Sequence, residues 1–164
     1  MRPWLVDPVA ADPRLPEAQR IAEELYALHE AGQPTHDGVQ RLVALVCKEH
    51  EQVRYEFIYA FGSVSPDTFA RQVLADLDQA PRDLSREELL ELIGRVSNFR
   101  PGEQFLSSVW LKCLRFNLGD DISDLIFWPD LYFGDDDNES VLSAEQILDC
   151  ALSGDRVRPP ANPA

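Results

Sequence analysis

The side chains here that could bind a metal, attack a substrate or move a proton are three histidines, three cysteines and a run of carboxylates from Asp120 to Asp155. A helical zinc site needs two histidines at i and i+4, and other zinc sites commonly use Cys-x-x-Cys. His29, His36 and His50 have neither that spacing nor a Cys-x-x-Cys to complement them. His29 lies near a helix end and His50 near a helix junction, where a cation suits the dipole. Cys47 and His50 stand three residues apart, but Cys47 follows an apolar run, and a reactive thiolate needs an electropositive, exposed setting. Cys47, Cys113 and Cys150 all fall inside apolar helical patterns and are expected as small buried hydrophobes. There is no glycine-rich phosphate loop and no Gly-x-Ser-x-Gly. No catalytic residue, metal or cofactor is expected.

The carboxylates are the informative part. The stretch "DLIFWPDLYFGDDDNES", Asp124 to Ser140, sets Phe127, Trp128, Tyr132 and Phe133 among acids. Against the calcium loop D-x-[DN]-x-[DN]-G-x5-E, Asp135 and Asp137 fit the first two ligand positions. Ser140 stands where the turn needs Gly, and Gln146 where the bidentate Glu belongs. Paired carboxylates serve acid–base chemistry only beside a partner base or pocket. These are adjacent and expected to be solvated, so metal-dependent hydrolysis is the third-ranked reading of the chain.

Of the formal net charge of -14, -11 lies between Phe116 and Asp155, with no Lys or Arg between Arg115 and Arg156. Nucleic acid and anionic membranes are therefore excluded as partners, since both require basic surface. No apolar run reaches the ~20 residues of a membrane span, and none near the N-terminus has signal-peptide length, so a cytoplasmic protein is expected. What acids and aromatics together do well is bind protein: aromatics form interface cores, and complementary charge speeds encounter. The expected partner surface comprises Asp120, Asp121, Asp124, Asp130, Tyr132, Phe133, Asp135, Asp136, Asp137 and Glu139, facing a basic protein with apolar pockets. Trp128, ending a short helix, is expected in the core.

The elements that must carry this surface are helical. Ile21, Leu25 and Leu28 stripe a helix over Leu15–Ala31, and Val39, Leu42, Val43 and Val46 a second. Residues 53–61 alternate like a strand, but no second alternating run exists to pair with, so a largely buried helix from Glu51 to Phe61 is expected. Ser65-Pro66 starts the next helix, and Ser85 with Glu88 and Ser143 with Gln146 form capping boxes. Phe105, Val109, Cys113 and Phe116 line another helix, and Asp120 or Asp121 caps a short one through Phe127. Trp128 to Leu142 is left as a long irregular piece. The expectation is an all-α fold, a compact bundle or short stack of seven to eight antiparallel helices with an acidic aromatic loop near the C-terminus. Residues 1–13 are expected as an arm, 14–155 as a single helical domain and 156–164 as a flexible proline-rich tail.

Acidity, small size, the "DISDLIFWPD" stretch and the "LSAEQILDCAL" helix together resemble the bacterial immunity proteins of polymorphic toxin and contact-dependent growth inhibition systems. The resemblance covers roughly Asp121 to Leu152 and implies a non-enzymatic protein that binds and neutralises one cognate toxin domain, often a nuclease. The alternative is a helical adaptor or regulatory subunit binding another basic protein.

Overall fold

The computed structural model describes residues 2–100, 102–137 and 141–160. Among them the chain is all-helical, with ten α-helices, a short 3-10 turn and no strand. No described helix is long and apolar enough to cross a membrane. The chain divides into two compact units, Arg2–Asp76 and the residues from Leu77 onward.

The first unit holds α1 (Pro3–Val6), α2 (Leu15–Glu30), α3 (His36–Val46), α4 (His50–Ala60) and α5 (Pro66–Leu74). Helix α2 packs against α3 and α5, and α4 packs against both α3 and α5. The apolar stripe of α2 buries Ile21, Ala22 and Leu25, the isoleucine and the leucine each contributing about 1.5–3 kcal/mol of transfer energy when fully covered. Tyr26 meets Phe57 and Phe69 at 5.7 and 6.1 Å between ring centroids. Gly38 lets α3 close on α2, since a Cβ there would stand 2.6 Å from Cδ2 of buried Leu25.

Residues 53–60 are helical, as the missing pairing partner implied, with Phe61 as the cap, but only one face is covered. Val53, Phe57 and Ala60 are buried at i, i+4 and i+7, while Tyr55, Ile58 and Tyr59 are exposed. The N-terminal residues pack: Leu5 and Val9, four apart, are buried, and Asp7 pairs with Arg71 of α5. Cys47 departs from its expectation of burial. It follows α3 in the left-handed region at φ 56° and is exposed, whereas Cys113 and Cys150 are buried.

The second unit holds α6 (Arg86–Ser97), α7 (Gln104–Leu118), α8 (Ile122–Phe127), α9 (Pro129–Phe133) and α10 (Ala144–Ser153). Helix α6 packs on α7 and α10, and α8 on α7, α9 and α10, around Leu92, Ile93, Trp110, Leu114, Ile122, Leu125 and Leu148. Both capping boxes form: Ser85 Oγ accepts from the Glu88 N–H, and Ser143 Oγ from the Gln146 N–H, each returned by the second side chain. Asn117 fixes the lead-in to α6. Its amide donates to the Pro81 carbonyl at 2.8 Å, and its oxygen accepts from the Leu84 N–H at 3.1 Å.

The helix count exceeds the expected seven to eight because of α1 and α9, of 4 and 5 residues. Pro129 does end α8 but also opens α9, its fixed φ suiting the first helical position. Asp121 occupies the cap position of α8 with helical backbone angles and no side-chain capping bond, and its carboxylate pairs with Arg156.

Candidate functional site

The acidic aromatic segment is built on α8, α9 and the turn after them. Helix α9 is one turn long, and its register decides which aromatic faces out. Tyr132 points inward, 6% exposed, while Leu131 is 69% exposed beside it. Gly134 ends α9 at φ 68°, a left-handed cap that glycine adopts without steric cost. Trp128, between the two helices, is 53% exposed rather than in the core. It meets the ring of exposed Phe127 edge-on at 5.6 Å. With α8 held by buried Ile122 and Leu125 and α9 by Tyr132, the indole has no apolar wall left to face.

Two arginines from the C-terminal segment reorganise the electrostatics. Arg156 stacks its guanidinium 4.0 Å from the Tyr132 ring centroid, donates to the Tyr132 carbonyl at 3.1 Å and pairs with Asp121. Arg158 donates from Nε and Nη2 to the two carboxylate oxygens of Asp135 at 2.8 and 2.7 Å, and from Nη2 to the Asp137 carbonyl at 2.6 Å. Its guanidinium lies 5.0 Å from the Phe133 ring, which meets Tyr132 edge-on at 5.0 Å. Each arginine thus covers a ring with its face and a carboxylate with its edge. The hydrogen bonds from Arg158 hold the Asp135 carboxyl below the usual carboxylate range. Burial pushes the Tyr132 hydroxyl up, with Arg156 opposing. The segment is tied down further at Pro160, whose carbonyl accepts from the Gln146 side chain at 2.9 Å.

The expected surface therefore divides. Tyr132 is inside and Phe133 half-covered. Asp121, Asp135 and Asp137 face arginines rather than water alone. Asp130 is half-buried, and its carbonyl accepts the capping N–H of Gly134. Asp120, Asp124 and Asp136 are exposed. Glu139 lies outside the described residues. The residues missed in the sequence are Arg156 and Arg158. Their signal was present, since they are the first bases after the acidic run, and the prolines behind them forbid a helix.

A cleft of about 200 Å³ runs beside Asp121, Tyr132, Gly154 and Arg156. Across it Arg156 pairs with Asp121 and donates to the Tyr132 carbonyl. Among the described residues, no group of three or more His, Cys, Asp or Glu is placed to hold a metal ion. Comparison with protein-family models, curated proteins and solved structures returned no match.

Proposed function

We propose that the protein is an immunity-type inhibitor that binds a basic toxin domain, of the nuclease kind, through the α8–α9 surface. Support comes from one observation above all: Trp128 and Leu131 are exposed on a segment whose Asp120, Asp124 and Asp136 are exposed too. Exposed aromatic and aliphatic side chains rimmed by one sign of charge are what a protein interface requires. The apolar pair supplies desolvated contact area, and the carboxylates attract a basic partner before contact. Tyr132 and Phe133 act beneath this surface as its support.

The test is binding kinetics and protection together. A candidate basic toxin domain is titrated with the protein and with two variants, and each is co-expressed with the toxin in bacteria. Trp128→Ala should raise the off-rate and lose about 2 kcal/mol of binding energy, as a central anchor does. Asn at Asp120, Asp124 and Asp136 should lower the on-rate at low salt, with the difference vanishing as salt screens it. Wild-type protein should protect the cells. Protection and rates unchanged in both variants would remove this surface from the interface, and binding without protection would favour the adaptor reading.

A further inference from the structure

The first unit carries a constellation unrelated to the acidic surface. Its three histidines, scattered in sequence, line one cavity of about 340 Å³, together with Arg54, Phe57 and Ile58. The rings of His36 and His50 stand 5.5 Å apart. His29 meets the ring of Phe57 edge-on at 5.6 Å. In a chain of net charge -14, this cavity has a basic rim and an apolar floor, and no carboxylate lines it.

The helix geometry adds to this. His36 is the first residue of α3 and His50 the first of α4, each helix having 11 residues. His50 therefore sits at a helix N-terminus, not at the dipole end that favours a cation, and two positive helix ends converge on the same cavity. A neutral imidazole has one N–H donor, and in His36 the Gln40 side-chain amide, 2.9 Å from Nε2, leaves that donor on Nδ1. His50 is oriented by Glu51, whose carboxylate lies 3.3 Å from Nδ1, while Nε2 is buried without a hydrogen-bond partner. Arg54 contacts Glu51 at 3.1 Å through Nη1, so Glu51 faces the cluster from outside the cavity lining. The three imidazoles are not placed to ligate a metal with any other His, Cys, Asp or Glu among the described residues.

We infer that this cavity binds a carboxylate carried on a small aromatic body. The ring would lie against Phe57 and Ile58, and the carboxylate would take donors from His36 and Arg54. The volume suits one such group, since small-molecule sites begin at about 300 Å³. The carboxylate can come from a free aromatic acid or from the C-terminal residue of a polypeptide.

The imidazole carbon-bound proton signals of the full-length protein, followed by NMR, test the assignment. Benzoate and acetyl-Gly-Phe represent the two sources, and benzamide and inorganic phosphate serve as controls. Benzoate or the peptide should shift the His29, His36 and His50 signals saturably, and benzamide should not. Saturation by the peptide at much lower concentration than benzoate would identify a chain terminus as the source, and the reverse a free acid. Arg54→Gln, at an exposed position that leaves the core intact, should weaken binding about tenfold, as expected for a lost charged donor. His36→Gln should also weaken it. No saturable shift with either acid, equal shifts with benzamide or phosphate, or unchanged affinity in both variants would overturn the inference. None of these outcomes depends on the toxin-binding surface.

Discussion

Tyr132 and Arg158 show how far single side chains determine this surface. Tyr132 lies buried with Arg156 across its ring, so Tyr132→Ala opens a void and strips a guanidinium of its partner. The expected loss is about 3 kcal/mol of folding stability, read from the shift in denaturant midpoint. Asp135 titrates below the usual range because Arg158 donates to it. A carboxyl whose folded pKa is depressed contributes stability above its unfolded pKa and loses it as pH falls through the folded value. The stability difference between wild type and Arg158→Gln should therefore be largest near neutrality and shrink in acid, as denaturation at a series of pH values would show. A constant difference would mean that Arg158 acts only through its contact with Phe133. The cysteines provide a third test. Burial pushes the Cys113 thiol up to about 11, and Cys150 is also raised by burial, whereas Cys47 is exposed. A thiol reagent should modify Cys47 first in native protein, and Cys113 and Cys150 only once the chain is unfolded.

At the scale of elements, the caps and one helix contact are the sensitive points. Ser85 closes a reciprocal box with Glu88, so Ser85→Ala should cost about 1 kcal/mol by thermal or chemical unfolding. Gly38→Ala tests the close approach of α3 to α2. Alanine favours a helix over glycine by about 1 kcal/mol, but its Cβ would meet Leu25, which is fully buried and cannot swing away. Overpacking of about 1–3 kcal/mol should win, and the variant should be the less stable. An increase in stability would show that Leu25 has room to repack. Helix α9 was not legible because a five-residue helix has no period to detect, and Pro129 signals both an end and a beginning.

At the scale of the whole molecule, charge dominates. Most of the -14 is concentrated after Phe116, and the structure returns two positive charges to it through Arg156 and Arg158. What remains exposed would steer a basic partner over a range set by the Debye length, about 8 Å at physiological salt. Much was legible in the residues alone. The caps at Ser65, Ser85 and Ser143 act over three residues, and the stripes of α2, α6 and α7 repeat over one or two turns, so local spacing suffices to fix them. The concentration of acid near aromatics was equally plain. Tertiary structure decided what depends on distance along the chain. Arg158 reaches Asp135 across 23 residues and Arg156 reaches Asp121 across 35, turning an apparently free tail into a counter-charge. Trp128 went out and Tyr132 in because the packing of α8 and α9 chose the face, a choice their own sequence leaves open. The histidines met in one cavity because α2, α3 and α4 pack together, and contacts between helices leave no period in the sequence to read.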